Sequence, residues 1–187
     1  YFDRDGRSVR KFLLRTPVSG ARMTSGFGMR RHPILGYNRM HKGVDFAAPH
    51  GTPIYAAGAG RLVRVGRRGG YGNYVRIDHG NGYATAYAHL TRFAAGMRSG
   101  RRVQQGEVIG FVGSTGRSTG PHLHYEVLKD GRQVNPLAIT QPPASRLADA
   151  VLENFRAHVA AVDADVASLA RARPTLVAGD ESRPRGG

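Results

Sequence analysis

The sequence predicts an all-β domain built as a two-layered antiparallel β-sheet, followed by one amphipathic α-helix. Three observations predict this fold class. Short β-branched and aromatic runs recur along the first two thirds of the chain, turn sequences rich in glycine separate them, and a helical periodicity follows only after the last run. A length of 187 residues suits one domain with a modest appendage.

Residues 1–20 predict a β-hairpin that leads into the main domain. Asp5-Gly6 is a turn pair between two short segments. In the second segment, Val9, Lys11 and Leu13 alternate as residues of a strand do.

Residues 21–139 predict the sheet domain. Six runs have the length and composition of strands: residues 54–57, 60–65, 73–79, 83–89, 107–112 and 122–128. Asn81-Gly82 predicts a hairpin turn, and Asp130-Gly131 predicts a turn after the last run. No helical pattern of comparable length lies between these runs, which favours an antiparallel all-β architecture.

Residues 140–173 predict the helix, and residues 174–187 predict a disordered tail of Pro, Gly and charged residues. Gln141-Pro142-Pro143 interrupts the chain, and Ser145 is a residue type that caps helices. Apolar residues then recur at steps of three and four: Ala148, Val151, Phe155, Val159, Val162, Val166 and Leu169. This stripe favours packing on the sheet domain or on an upstream domain, with binding of a separate partner as the alternative.

The chain is strongly basic, with 28 Lys and Arg against 13 Asp and Glu and a formal charge of +15. Of the 28 cations, 25 are Arg. Arginine binds phosphate and carboxylate in a bidentate manner, so one interpretation is attraction to nucleic acid, anionic lipid or an acidic wall polymer. The alternative is a compositional preference for arginine, and charge alone does not choose between the two.

Two features of composition exclude whole classes of site and location. The absence of cysteine excludes disulfides, Cys-type zinc sites and thiol catalysis. No run approaches the ~18 to 20 apolar residues of a membrane span, so no transmembrane segment is predicted. The sequence begins at Tyr1 without the features of a signal peptide, so we expect any signal, anchor or upstream domain to lie outside this chain.

The placement of the histidines predicts a metal site. His41 and Asp45 are four residues apart in what reads as extended chain, where such positions share a face. His122 and His124 also share a face of a strand, and Glu126 continues that row. Imidazole nitrogen and carboxylate oxygen are the zinc donors available without cysteine. Two His and one Asp would leave a fourth position for water, as catalytic zinc sites do.

Five motifs, in order, resemble the LytM/lysostaphin-type zinc metallopeptidases of family M23. They are SGFGMR from Ser25, HP from His32, HKGVDF from His41, YAHL from Tyr87, and GSTGRSTGPHLHYE from Gly113. The resemblance covers about residues 20–137. It implies an all-β fold with a groove across the larger sheet, and hydrolysis of the peptide part of peptidoglycan by metal-activated water.

Residue by residue, the resemblance implies that His41, Asp45 and His124 bind one Zn²⁺ per chain. It implies that His89 and His122 are the catalytic histidines, one taking the proton of the water and one stabilising the oxyanion or protonating the leaving amine. The sequence does not assign these two roles between them.

Several further residues are candidates around this site. Glu126 has the parity to orient a histidine through a hydrogen bond, with a solvated strand carboxylate as the alternative. The glycine clusters at residues 69–72 and 113–120 are interpreted as loops that wall a groove. Asn73, Tyr71 and Tyr74 are candidate substrate contacts, although packing explains the tyrosines equally well. The remaining histidines, His32, His50, His79 and His158, are not assigned to the metal.

The functional prediction is a zinc endopeptidase that cuts peptide cross-links of peptidoglycan. The SGFGMRRHPI segment resembles members from Gram-negative bacteria, which implies D-Ala to meso-diaminopimelate bonds, a periplasmic or envelope location, and upstream domains that restrain the active site. The alternative is a catalytically idle LytM-type regulator that activates another wall hydrolase, although the usual loss of ligands is absent. Nucleic-acid binding is not favoured, because the chain has no recognised module for it.

Overall fold

A computed structural model describes residues 2–6, 8, 12–31, 38–139 and 147–171. The chain divides into two compact units, one formed by residues 1–10 and 143–187 and the other by residues 11–142. Several predictions fall on residues outside the described ones, namely the strand at Val9 and Lys11, the helix cap at Ser145, the unassigned His32 and the tail at 174–187.

The described residues form short strands, one 3-10 turn and one long helix. The strands are β1 (Arg22–Ser25), β2 (Gly28–Arg31), β3 (Asn38–His41), β4 (Val44–Ala47), β5 (Pro53–Tyr55), β6 (Gly60–Arg67), β7 (Asn73–Gly80), β8 (Tyr83–Phe93), β9 (Arg102–Val103), β10 (Val108–Val112), β11 (His122–Lys129) and β12 (Arg132–Val134). A 3-10 turn at Gly69–Tyr71 lies between β6 and β7, and α1 spans Asp149–Arg171.

The six predicted strand runs correspond to β5, β6, β7, β8, β10 and β11, so these predictions are confirmed. Both predicted turn pairs also connect antiparallel strands. Asn81 and Gly82 have φ of 50° and 75°, and Asp130 and Gly131 have φ of 50° and 78°. Positive φ at both central residues is typical of type I′ turns, which match the right-handed twist of a hairpin.

Ten of the strands form one antiparallel sheet in the order β1-β4-β11-β8-β7-β6-β9, while β2 and β3 form a separate ribbon. Strand β10 pairs with β5 and β8, and β12 pairs with β11. The first part of β8 lies beside β11, and its last residues lie beside β10. The predicted antiparallel all-β class with a C-terminal helix is therefore confirmed.

Alternation along the strands separates an inner face, which holds the core, from an outer face. On β11, Leu123, Tyr125 and Val127 are buried in the core. The residues between them, His124 and Glu126, lie on the other side, because successive side chains of a strand point to opposite faces. The outer face also carries a small apolar cluster of Tyr71, Tyr74, Ala84, Ala86, Ala88 and Leu128.

The smaller unit joins the N-terminal residues to α1. Phe2 contacts Phe155 edge to face, with ring centroids 6.4 Å apart, and Leu152 is buried against Gly6. The predicted apolar stripe is exposed at Val151 and at its last three members, Val162, Val166 and Leu169. Packing of a partner domain on this stripe stays a prediction. Within the described residues, no helix has the length and apolarity needed to cross a membrane.

A buried tyrosine connects the inner face of β8 to the loop after β5. The hydroxyl of Tyr87 accepts a hydrogen bond from the Ala57 backbone N–H at 2.7 Å and lies 2.9 Å from Thr85 Oγ1. Tyr87 is fully buried, so no water can replace these bonds. We expect Tyr87→Phe to lower the free energy of unfolding by about 1–3 kcal/mol, because it leaves a buried N–H without an acceptor.

Urea unfolding followed by circular dichroism measures this change. Tyr55→Phe is the matched control, since Tyr55 is partly exposed and its hydroxyl makes no hydrogen bond with a described residue. Equal stabilities of the two variants would contradict the assigned role of Tyr87.

Candidate metal centre

Strand register brings the candidate ligands together. Asp45 on β4 lies directly opposite His124 on β11, in an antiparallel pairing that also sets Ala47 opposite His122. His41 is the last residue of β3, and only two residues separate it from β4. The sequence therefore supplies three polar side chains to one point on the outer face.

The donor atoms of these three residues converge. His41 Nε2 lies 3.2 Å from Asp45 Oδ1 and 3.2 Å from His124 Nδ1, and His124 Nδ1 lies 2.8 Å from Asp45 Oδ1. Ligands bound to zinc at ~2.0–2.1 Å in a tetrahedron are about 3.3 Å apart, so this triangle has close to the required size. Among the described residues, these three form the one group of His and acidic side chains whose ligand atoms lie close enough together to hold a metal ion.

Each histidine of the triangle is held through its second ring nitrogen. His41 Nδ1–H donates to the Gly26 carbonyl at 2.6 Å, and His124 Nε2–H donates to Glu126 Oε1 at 3.0 Å. A carbonyl or carboxylate can only accept, so in the neutral rings these bonds place the lone pairs on His41 Nε2 and His124 Nδ1, which face the triangle. The donor set therefore fits a metal ion such as zinc.

Glu126 is almost completely buried, with 2% of its surface exposed, and its charge is well satisfied. Besides His124, it accepts hydrogen bonds from the Tyr71 hydroxyl at 2.8 Å and from Gln133 Nε2 at 3.3 Å. Burial alone would raise the pKa of Glu126, but the hydrogen bonds from His124 and Tyr71 lower it below its usual value. Glu126 is therefore a buried carboxylate anion beneath the candidate ligand, and not a solvated strand residue.

The electrostatics of the triangle favour a bound cation. Burial would lower the pKa of His124, but hydrogen bonds to Asp45 and Glu126 raise it to about 9. Burial would raise the pKa of Asp45, but the hydrogen bonds with His124 and His41 bring it well below its usual range. The two carboxylates thus attract positive charge to this point, and a metal ion competes there with a proton.

A β-bulge places His89 on the same face. Strand β8 pairs Tyr87 with Val75 and Leu90 with Asn73, so two residues of β8 face one of β7. In a regular strand, His89 would point to the inner face, because Ala88 is on the outer face opposite His124. At the bulge His89 has φ of 63°, a left-handed conformation that costs a β-strand residue roughly 1–3 kcal/mol. Both Ala88 and His89 therefore lie on the outer side.

His89 and His122 form a pair beside the triangle, with ring centroids 4.7 Å apart. His89 Nδ1–H donates to the Thr115 carbonyl at 2.8 Å, and His122 Nδ1–H donates to the Gly120 carbonyl at 2.8 Å. Each ring therefore keeps its Nε2 lone pair for another partner, and His122 Nε2 lies 3.9 Å from Asp45 Oδ1. Burial lowers the pKa of His89, which keeps this ring neutral near pH 7.

Two glycine loops interlock behind His89, and sequence reasoning missed the residue at their centre, Thr115. Thr115 Oγ1 accepts from the Asn73 backbone N–H and donates to the Leu90 carbonyl, while its own carbonyl holds His89. A Cβ on Gly72 would overlap Thr115, and a Cβ on Gly116 would overlap the backbone of Gly72. The predicted glycine clusters therefore permit close backbone contact that fixes the His89 ring.

The candidate substrate contacts Asn73 and Tyr74 lie near the site but are engaged within the protein, as is Tyr71, whose hydroxyl donates to Glu126. Asn73 Nδ2 donates to the carbonyls of Leu90 and Thr91, which supports β8 just after the bulge. Tyr74 is 1% exposed, and its hydroxyl accepts a hydrogen bond from Arg68 at 2.9 Å. This burial favours packing for Tyr74, and direct substrate contact by either residue stays a prediction.

A family model described as Peptidase family M23 matches residues 39–136, which include the whole triangle and both neighbouring histidines. The chain belongs to peptidase family M23. The resemblance that the sequence motifs indicated is therefore confirmed. The matched residues extend from β3 to the start of the segment after β12.

Relatives and a solved structure agree with this assignment. The chain is 47% identical over 170 residues to DD-carboxypeptidase/endopeptidase Mpg of Neisseria meningitidis, covering 89% of this chain and 38% of Mpg. It is 45% identical over 159 residues to peptidoglycan DD-endopeptidase ShyC of Vibrio cholerae, covering 84% of this chain and 36% of ShyC. The chain thus spans little more than a third of the length of these relatives.

A crystal structure of a zinc-containing peptidase from Vibrio cholerae superposes with a TM-score of 0.66 at 38% identity. The match covers 76% of this chain and 46% of that one. The similarity therefore extends over about three quarters of this chain.

Gly43, between His41 and Asp45, permits close approach to β11. A Cβ at Gly43 would overlap the Tyr125 carbonyl oxygen and lie 2.9 Å from His124 Cε1. We expect Gly43→Ala to weaken zinc binding by tenfold or more, because it displaces the ring that completes the triangle. Titration with zinc against a competing chelator measures this affinity.

Gly26→Ala is the control for that variant. The carbonyl of Gly26 accepts the His41 hydrogen bond, but a Cβ there meets nothing within 4 Å. Unchanged zinc affinity is expected, and equal losses in both variants would show that close packing at Gly43 does not matter.

Proposed function

We propose that this chain is a zinc-dependent endopeptidase that hydrolyses peptide cross-links of peptidoglycan, with His41, Asp45 and His124 as ligands of one Zn²⁺. The observation that carries the proposal is the triangle of three donor atoms, 2.8–3.2 Å apart, with the histidine pair His89 and His122 at its side. When bound, zinc supplies Lewis acidity, which polarises a peptide carbonyl and makes a coordinated water acidic near pH 7.

His89 and His122 provide the proton transfers of this reaction. Each is anchored by Nδ1–H on a backbone carbonyl, so its Nε2 is the basic atom near the reacting centre. One Nε2 accepts the proton of the attacking water, and a protonated imidazole then donates to the leaving amine. The other imidazole, in its protonated form, donates a hydrogen bond to the former carbonyl oxygen and stabilises the negative charge there. A neutral, buried His89 suits the role of proton acceptor.

Glu126 acts through His124. The hydrogen bond from His124 Nε2–H fixes both the tautomer and the ring orientation, and the carboxylate makes the imidazole a stronger donor to the metal. Tyr71 and Gln133 hold Glu126 in turn, so its geometry does not depend on solvent. Glu126 is thus a positioning residue, and the fourth coordination position is left for water or substrate.

The bond that we propose is the D-Ala to meso-diaminopimelate cross-link, and the location is the cell envelope. The names of Mpg and ShyC, DD-carboxypeptidase/endopeptidase and peptidoglycan DD-endopeptidase, support this choice over glycine bridges. The intact triangle and histidine pair do not favour the idle regulator that the sequence left as an alternative.

Metal dependence tests the proposal directly. The purified chain is expected to contain about one zinc and to cleave isolated peptidoglycan, with cleavage lost on chelation and restored by added zinc. His41→Ala should lose both the metal and the cleavage. His50→Ala, which changes an exposed histidine, is the matched control and should keep both. Full cleavage by His41→Ala would refute the proposal.

The two catalytic histidines are separable from the ligands. Because their anchored rings lie outside the triangle, His89→Ala and His122→Ala should each keep one zinc while kcat falls on the order of 10²–10⁴-fold. Metal analysis together with muropeptide release by mass spectrometry checks both properties. Loss of zinc in His122→Ala would instead identify His122 as a ligand.

A further inference from the structure

A row of arginines lies on the same outer face as the candidate metal centre. Register across the sheet aligns Glu126 on β11 with Ala86 on β8, Arg76 on β7 and Arg64 on β6. Three residues further along β6, past a bulge, Arg61 is paired with Arg102 on β9. We call Arg61, Arg64, Arg76 and Arg102 the arginine row.

Within the described part of the chain, the side chains of these four arginines have no polar partner. None of the four side chains makes a hydrogen bond or ion pair with a described residue, and the buried Nε of Arg76 has no acceptor. On the described outer-face positions of β6, β7 and β9, Asp78 is the one acid; it lies opposite Arg61, and its Oδ1 accepts from the Gly80 backbone N–H. Arg64, Arg76 and Arg102 have no acid opposite them on these strands, so this part of the row presents unneutralised positive charge.

The pairing of the arginines is unfavourable in the isolated chain. Arg64 lies directly opposite Arg76, and Arg61 lies directly opposite Arg102. Like charges directly across neighbouring strands destabilise a sheet, whereas an anion between two guanidinium groups turns the same arrangement into a binding site. Guanidinium groups bind planar carboxylates in a bidentate manner.

The row is within reach of a substrate at the metal centre. Arg76 is two strands from His124, about 10 Å across the sheet, and two residues along, about 7 Å, which gives a separation near 12 Å. Arg64 is one strand further, near 16 Å. An extended peptide rises about 3.4 Å per residue, so three to five residues connect the two places.

We propose that the arginine row is a subsite for the free carboxylates of the peptidoglycan stem peptide whose cross-link lies at the metal centre. This inference rests on the proposed function, since it names the part of the substrate that lies away from the scissile bond. The row contributes ground-state binding, because the carboxylates are distant from the reacting atoms and carry the same charge throughout the reaction.

The test compares two double variants with the same net charge. Arg64→Gln/Arg76→Gln removes two charges from the row, and Arg98→Gln/Arg132→Gln removes two from exposed positions outside it. Substrates are cross-linked muropeptide dimers with free carboxylates, and the same dimers after their carboxylates are converted to amides.

On free-carboxylate dimers, the row variant is expected to raise KM about tenfold, the effect of losing roughly 1.4 kcal/mol of charge-assisted bonding, with kcat unchanged within about twofold. The control should match the wild type. On amidated dimers, wild type and row variant should show the same raised KM. Equal KM values for the row variant and the control on free-carboxylate dimers would overturn the inference. A row variant whose KM exceeds that of the wild type by the same factor on amidated dimers as on free-carboxylate dimers would also overturn it.

Binding separates failure of this inference from failure of the proposed function. In a His122→Ala background, co-sedimentation with insoluble peptidoglycan should fall with the row variant and persist with Arg98→Gln/Arg132→Gln. If the wild type cleaves neither dimer, the proposed function fails, and this sedimentation difference still decides whether the row binds stem-peptide carboxylates. Equal sedimentation of both double variants would overturn the arginine row as a subsite.

Discussion

The antiparallel register between β4 and β11 is the constraint on which the site depends. It sets Asp45 opposite His124, and the two-residue step along β11 then adds His122 on one side and Glu126 on the other. A one-residue slip of β4 would turn Asp45 into the core and bring Val44 and Phe46 to the outer face, and a slip of β11 would likewise bury its polar row and expose Tyr125. The cost of burying charge thus keeps the register that assembles the candidate metal centre.

The same sheet tolerates local strain at His89, the position where the proposed reaction uses an extra side chain. The bulge in β8 gives His89 a left-handed backbone and turns it towards His122. The interlocked glycine loops hold this conformation through the Thr115 carbonyl, which accepts a hydrogen bond from His89 Nδ1–H. Strained backbone at a functional position persists when the surroundings fix it from several sides, as they do here. The outer face thus combines a fixed chemical centre with a separate patch of unpaired charge.

Sequence reasoning predicted the parts of the site that follow from periodicity. The i, i+2 spacing of His122, His124 and Glu126 was enough to place them on one face. The family resemblance named His89, but strand periodicity alone could not place its side chain on the outer face, because a bulge reverses the parity of every later residue on its strand. Thr115 acts through its carbonyl, which no side-chain pattern reveals. On α1, the predicted stripe named Val151, whereas the neighbouring Leu152 is the buried residue.

The most direct test of this account is anomalous diffraction at the zinc edge from crystals of the zinc-loaded chain. The account predicts one strong peak per chain within about 2.0–2.2 Å of His41 Nε2, Asp45 Oδ1 and His124 Nδ1. It also predicts that His89 and His122 stay outside the coordination sphere. A peak coordinated by His122 in place of His124, or no peak within reach of Asp45, would contradict it.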